Sequence, residues 1–500
     1  MRSILIELVI FRDSKHTLDM KLNYLLILSF VLLLSSTAIS QLPIPENGLK
    51  PSTPSAVVFR NAQIIVSPEE TIQKGSMVIQ DGRITAIGML VRIPKGAVVI
   101  DLEGRTIVPA FIESYSSVGV PEPNKVKWEP RPQLDSKKEG AFYWNESIKP
   151  EVNAAEHFKV DAKASKQLQE MGFGIAITHV PDGIMRGTGA AVALGDLDNR
   201  RAIIKSESGA FFSFEKGNSR QTYPSSQMGS IALFRQAMLD AQYYIENKDC
   251  NPKNLSLEAI NNQLDRPLIF EVKDKLEIFR AQKIAEEFNL GFTIVGSGNE
   301  YERINELQNW KNKLIIPIDF PEAYDVQDPY VSRQIPMSDL KNWELAPSNP
   351  YLLRKHNIAF ALSSKGHKKA EDFWKHLHKA MERGLSREDA IAALTKIPAD
   401  IFQLSSELGT LEEGKLASFS IFNKDPFKYK NAEIQESWSI GKQHVLNAPA
   451  EVDIRGKFRI TLEEISYVIT IDGTKEKPKG KVETFKTKID STTTPITSSI

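Results

Sequence analysis

Between residues 174 and 362 the chain repeats one unit, a short apolar run followed by a segment of helical character. The runs are Gly174 to Thr178, Pro267 to Val272, Gly291 to Val295, Leu314 to Ile318 and Ile358 to Leu362. In the segment Lys275 to Phe288, residues Ile278, Ala281, Ala285 and Phe288 recur at helical spacing and define one apolar face. A strand apolar on both faces must be covered on both. Such strands separated by amphipathic helices therefore imply a parallel sheet wrapped in helices. Four runs fall between residues 267 and 362 with no Gly-rich phosphate loop, which favours a closed TIM-like (β/α)8 barrel over a dinucleotide-binding sheet. The long polar stretches 120–150 and 205–265 fit the repeat poorly and are expected to be excursions above the barrel or ordered insertions.

The flanks of this repeat have a different grammar. From Ala56 to Val108 the apolar residues alternate and are broken by Asp81-Gly82 and Glu103-Gly104. Asp-Gly supplies the positive φ angles of a tight primed turn, so Ser76–Gln80 and Arg83–Gly88 are expected to form a hairpin. Strand character returns at Ala417–Phe422 and Glu436–Ile440, then again over Ile460–Ile471. The tail from Thr474 is rich in Lys, Thr and Ser and is expected to be a disordered tail or linker, since it has little apolar surface to bury.

Lys plus Arg and Asp plus Glu are both 63, so the net charge is zero and gives no electrostatic basis for binding nucleic acid or an anionic membrane. Cys250 is the lone cysteine, which excludes an internal disulfide and a cysteine-built zinc site. Met20-Lys21, the apolar run Leu22–Leu34 and the small residues Ala38 and Ser40 have the layout of a secretory signal peptide. Met20 is the expected start, with cleavage near Ser40/Gln41 and no membrane association of the mature form. The expected organisation is 1–40 upstream residues and signal peptide, 41–55 extended leader, 56–108 first part of a β-sandwich and 109–405 barrel with insertions. Residues 406–447 form the second part of the sandwich, 448–473 a β extension and 474–500 the tail.

Three segments together resemble the amidohydrolase superfamily, near its imidazolonepropionase-like branch. They are Val58–Ile65 with Gly75–Gly88, then Val99–Glu113, then Leu394–Ala399 with Leu408–Phe422. The resemblance implies a composite β-sandwich domain formed from both ends of the chain, flanking a metal-dependent barrel. It also implies a metal-bound water that attacks an amide, lactam or ester carbonyl. In that family the ligands are His-x-His after strand one, a Lys or Glu on strand four, a His after each of strands five and six, and an Asp after strand eight. Here those slots hold Tyr115 and Ser117 after strand one, Gly296 after strand six and Lys365 after strand eight. Strand five offers Glu271 but no imidazole, and Ile175–His179, taken as strand four, lacks the bridging residue. Hydroxyls, a glycine and an ammonium are poor ligands for a first-row metal.

The resemblance therefore points to an exported, periplasmic or secreted protein that keeps the amidohydrolase fold but is catalytically inactive, a pseudo-amidohydrolase with a scaffolding, binding or regulatory role. Chains of this kind resemble the leading half of longer tandem amidohydrolase proteins, so an active amidohydrolase domain or protein is the expected partner. No cofactor is expected. The alternative is a hydrolase of carbon–nitrogen bonds with a rebuilt site that takes zinc, for which His179, His367, Glu271 and Glu113 are the conceivable ligands. The candidate ligand-binding residues are His179, Arg186, Glu271 and His367. The Gly-rich segment 179–189 has the makings of a cradle that places Arg186 and backbone amides around an anion or a partner loop, although a tight turn accounts for its glycines. His376 and His378 are two apart on a helix and cannot chelate one ion from that helix alone. Asp319, Asp325 and Asp328 read as a solvated acidic loop.

Overall fold

The computed structural model describes residues 56–123, 131–247, 251–308, 312–448, 455–462, 465–473, 478–486 and 496–499. The expected signal peptide, the leader and Cys250 lie outside the described residues. The first strands are β1 (Val57–Ile65), β2 (Thr71–Gln80), β3 (Arg83–Gly88), β4 (Val98–Asp101) and β5 (Thr106–Pro109). β2 and β3 form the expected hairpin, with Asp81 at φ 53° and Gly82 at φ 77° in its turn.

The repeat then builds an eight-stranded sheet. Its members are β6 (Phe111–Ser116), β7 (Phe173–Thr178), β8 (Met185–Ala193), β9 (Ile203–Ser213), β10 (Leu268–Glu271), β11 (Phe292–Val295), β12 (Leu314–Pro317) and β13 (Phe360–Ser363). They lie in the order β13-β12-β11-β10-β9-β8-β7-β6. All run the same way except β8, which is antiparallel to both neighbours. Alternate side chains serve two cores. Ile112, Ile177, Phe211, Ile269, Val295 and Ala361 meet Phe402 on one side. Phe173, Phe212, Phe270, Ile294 and Leu362 meet helix residues on the other. The helix Lys275–Phe288 contributes Ile278, Ala281 and Ala285 to that second core, capped by Asp274, whose carboxylate accepts from the amides of Leu276 and Glu277.

Two expectations for this region are corrected. Residues 205–265 are not an insertion, because they hold most of β9 and the helices Gln227–Glu246 and Leu255–Gln263, which belong to the repeat. Polar residues at the start of β9 mask its strand pattern; Ala210, Phe211 and Phe212 are buried only at its end. Ile175–Thr178 belongs to the second strand of the sheet rather than the fourth, because the antiparallel β8 follows it directly.

The chain then returns to the first sheet with β14 (Phe419–Phe422), β15 (Ile434–Ser439) and β16 (Lys442–Val445). The order is β16-β15-β14-β5-β1-β2-β3, with β4 on β1, so strands from 57–109 and from 419–445 share one sheet. The join is aromatic. Phe59 on β1 meets Phe419 edge-on at 5.3 Å and Trp438 at 5.1 Å, and those two rings stack on each other at 5.7 Å. All three are buried.

Two strands lie within the segment expected to be a β extension, 448–473, and two more within the segment expected to be a disordered tail or linker, 474–500. β17 (Gly456–Leu462), β18 (Ile465–Gly473), β19 (Pro478–Lys486) and β20 (Ile496–Ser499) form an antiparallel sheet. Residues 478–486 pair along their whole length with β18 in an unbroken antiparallel register. Among the described residues no helix is long and apolar enough to cross a membrane.

Candidate site at the carboxyl ends of the strands

The family's ligand slots cluster where the parallel strands end. A closed network of side chains fills that place. Arg186, at the start of β8 and only 4% exposed, donates from Nη1 to the Tyr115 hydroxyl at 2.8 Å and to Glu271 at 2.9 Å. It also donates from Nη2 to Ser213 Oγ at 2.8 Å and from Nε to the Gly183 carbonyl at 3.0 Å. Lys365 donates from Nζ to the other oxygen of Glu271 at 2.6 Å and lies 5.0 Å from the centre of the Tyr115 ring. Burial alone would push the Glu271 carboxyl up, but the Arg186 guanidinium and then the Lys365 ammonium outweigh it and hold it down at about 2. Burial pushes the Tyr115 phenol above its usual range.

His179 sits beneath this network. Its Nδ1 lies 3.0 Å from the Ser116 carbonyl, and its ring stacks on Phe211 at 4.2 Å with Tyr115 at 4.6 Å. Burial, then the Arg186 charge, hold its pKa down at about 3, so the ring is neutral at pH 7. Its buried Nε2 has no hydrogen-bond partner.

Gly296, one of the residues weighed as a ligand position, has its space filled by a neighbouring carboxylate. At Gly296 a Cβ would fall 2.1 Å from Glu300 Oε1, because that carboxylate folds back to accept from the amides of Ser297 at 2.7 Å and Gly298 at 3.0 Å. Asn349 Nδ2 donates to its other oxygen at 2.6 Å. No side chain of any kind fits at 296 while Glu300 stands there. Ser117 is exposed and lies outside the network. Glu113 is buried and serves elsewhere, linking the two edge strands of the sheet. It accepts from Ser363 Oγ and Ser364 Oγ at 2.6 Å, from the Ser364 amide at 2.7 Å and from the Tyr115 amide at 3.0 Å.

Of the candidate ligand-binding residues, the structure brings His179, Arg186 and Glu271 together and sends His367 elsewhere. The conceivable zinc set of His179, His367, Glu271 and Glu113 is not assembled. Two cations share the one carboxylate at the centre, and a divalent ion placed there would meet both. The residues at the strand ends do not fit the family's metal.

The expectation that the chain needs no cofactor is overturned at the rim. Asp319 follows β12, His367 follows β13, and His376 stands on the helix Ala370–Glu382. Their ligand atoms all lie within 4.8 Å of one another, the one such group of His, Cys, Asp and Glu among the described residues. Sequence reasoning missed it for two reasons. It weighed His376 only against His378 on the same helix, and it read Asp319 with Asp325 and Asp328. The latter two are exposed, each accepting from a backbone amide two residues on. A usable signal was present, namely an Asp and a His each just beyond a strand end.

An amidohydrolase family model matches residues 367–445. Among solved structures, an amidohydrolase from Thermotoga maritima MSB8 superposes with a TM-score of 0.62 at 21% identity, covering 77% of this chain and 99% of that one. A molinate hydrolase covers 79% of this chain and 95% of its own at 13% identity, with a TM-score of 0.45. No curated protein matches the chain by sequence. Residues 367–445 thus match an amidohydrolase family model, and the fold around them is similar to that of a solved amidohydrolase.

Proposed function

We propose that this is an exported amidohydrolase-fold protein that binds or scaffolds rather than hydrolyses at its strand ends. In this reading the eight-stranded sheet closes into a barrel through Glu113 and its serine partners, and an active amidohydrolase is the partner. The observation that carries the proposal is the Tyr115–Arg186–Glu271–Lys365 network. Hydrolysis in this fold needs an activated water beside a general base. Glu271 is held ionised between two cations, which makes it a weak base. Lys365 is committed to Glu271, and the nearest imidazole, His179, is packed against Phe211. The basic, apolar and small-residue succession from Met20 to Ser40 supports export.

The test is an assay of the chain from Gln41 onward against lactams, dipeptides and aryl esters, with zinc supplied. The expected result is no turnover above buffer. Turnover that disappears in Lys365→Ala or Glu271→Gln would overturn the proposal. The Asp319–His367–His376 group favours a second reading, a zinc-dependent hydrolase of carbon–nitrogen bonds with its site moved to the rim. Turnover retained in Lys365→Ala and lost in His367→Gln identifies that case.

A further inference from the structure

Three separate elements converge at the rim. The loop after β12 supplies Asp319, the turn after β13 supplies His367, and the helix Ala370–Glu382 supplies His376. His367 Nε2 and His376 Nδ1 are 2.9 Å apart, and His376 Nδ1 is 4.0 Å from Asp319 Oδ1. We propose that Asp319, His367 and His376 bind one zinc-type divalent cation, tying the two strand-end loops to that helix.

The orientation of His367 is that of a ligand. Its Nδ1 lies 3.2 Å from the Ser364 carbonyl, which can only accept, so the proton sits on Nδ1 and the Nε2 lone pair faces inward. His376 Nδ1 then donates to that lone pair, and a cation would take the place of this proton between the two nitrogens. Two imidazoles on one tetrahedral zinc, each bonded at about 2.0–2.1 Å, stand roughly 3.3 Å apart. The observed 2.9 Å requires a small spread of the rings.

The surroundings hold both rings in place. Phe320 lies 5.4 Å from His376, and Phe373 meets His367 edge-on at 5.7 Å. Burial keeps both imidazoles below their ordinary pKa, helped at His376 by the neighbouring His367 and opposed at each by Asp319. Gly366 is required by the geometry. It adopts φ +97°, and a Cβ there would fall 2.2 Å from Asp319 Oδ2. The absent side chain lets the carboxylate reach the His367 turn. Asp319 itself is half exposed, free to swing the last distance toward the nitrogens.

The donor set selects the ion. Two imidazole nitrogens and one carboxylate suit zinc and its first-row neighbours, whereas calcium and magnesium take oxygen. Three protein donors leave a fourth position to water. His367 also lines a cavity of about 1300 Å³ together with Ser117, Val118, His157 and Lys368, which gives that position a route to solvent. None of the three residues occupies a slot that the family uses.

The experiment uses the tag-free chain from Gln41, stripped with a chelator and titrated with zinc chloride by calorimetry. Cobalt chloride is added in parallel for its ligand-field spectrum. One equivalent of zinc should bind, and cobalt should give the intense visible bands of a four-coordinate site. Asp319→Asn, at a half-exposed position, should weaken zinc binding roughly tenfold or more with an unchanged circular dichroism spectrum. His367→Gln should abolish the cobalt bands. No saturable uptake by the wild-type chain overturns the proposal. So does uptake that is unchanged in the folded Asp319→Asn and His367→Gln variants, because it would place the ion on other residues. The readout is binding, so the result stands apart from whether the protein hydrolyses anything.

Discussion

Glu271 is flanked by a guanidinium and an ammonium, and each depends on it. Removing its charge leaves Arg186 buried with no counter-ion, a loss that costs about 3–5 kcal/mol for a buried pair. Glu271→Gln should therefore lower the unfolding free energy obtained from urea titration at pH 7 by that amount. The pH dependence has a defined sign. The carboxyl is held at about 2 in the folded state against an ordinary 4.5, so the unfolded chain binds the proton first. The stability contributed by the pair is complete above about pH 4.5 and is lost as pH falls toward 2. Wild type and Glu271→Gln should converge over that interval in urea titrations; a constant gap between them would show that Glu271 is not ionised by its neighbours. The sequence made these residues legible only in part. Glu271 and Lys365 stood out because they occupy places where a family of this kind has ligands. Their pairing with Arg186 was not legible, since the 85 residues that separate Arg186 from Glu271 leave no periodic trace. Asp319 and His376 were hidden for a similar reason. Each has a nearby residue of its own kind that suggested a local, surface explanation.

The segment Gly183–Gly189 shows how one element can answer to two descriptions. It turns sharply, with Gly183 at φ 101° and Gly187 at φ 77°, and it also begins strand β8. Arg186 stands between those glycines, so the turn aims its guanidinium at Tyr115 and Glu271. Gly187 has no room to change, because a Cβ there would fall 1.9 Å from the Val152 carbonyl oxygen. Gly187→Ala should destabilise the protein by roughly 3 kcal/mol or more, combining positive-φ strain with a backbone displacement. It should also shift the tyrosine near-ultraviolet dichroism as Tyr115 loses its donor. A variant with wild-type thermal stability would contradict this account. Strands with strong apolar alternation, such as those of the β2–β3 hairpin, were legible in the sequence. β8 was not, because its Arg, Thr and glycines look like loop residues until their burial between β7 and β9 is seen.

At the scale of the molecule, the first sheet is joined by three rings drawn from residues 59, 419 and 438. Trp438→Ala should cost about 3–5 kcal/mol, the usual range for emptying a buried aromatic site. Thermal unfolding monitored at both the first sheet and the strand ends would show whether the loss is shared. A single lowered transition is expected, since β5 runs directly through Pro109 into β6. Two separated transitions would mean that the sheets unfold independently. The alternation of strands and helices gave the sequence its architecture. The pairing of β5 with β14 was legible only through family resemblance, because no local pattern reports a partner three hundred residues away.

That distant pairing also fixes an order of events during synthesis. β1 and β5 emerge from the ribosome long before β14 and β15, so Phe59 has no ring to pack against until most of the polypeptide has been made. The nascent chain thus carries an uncovered apolar edge until residues 419 and 438 have been made.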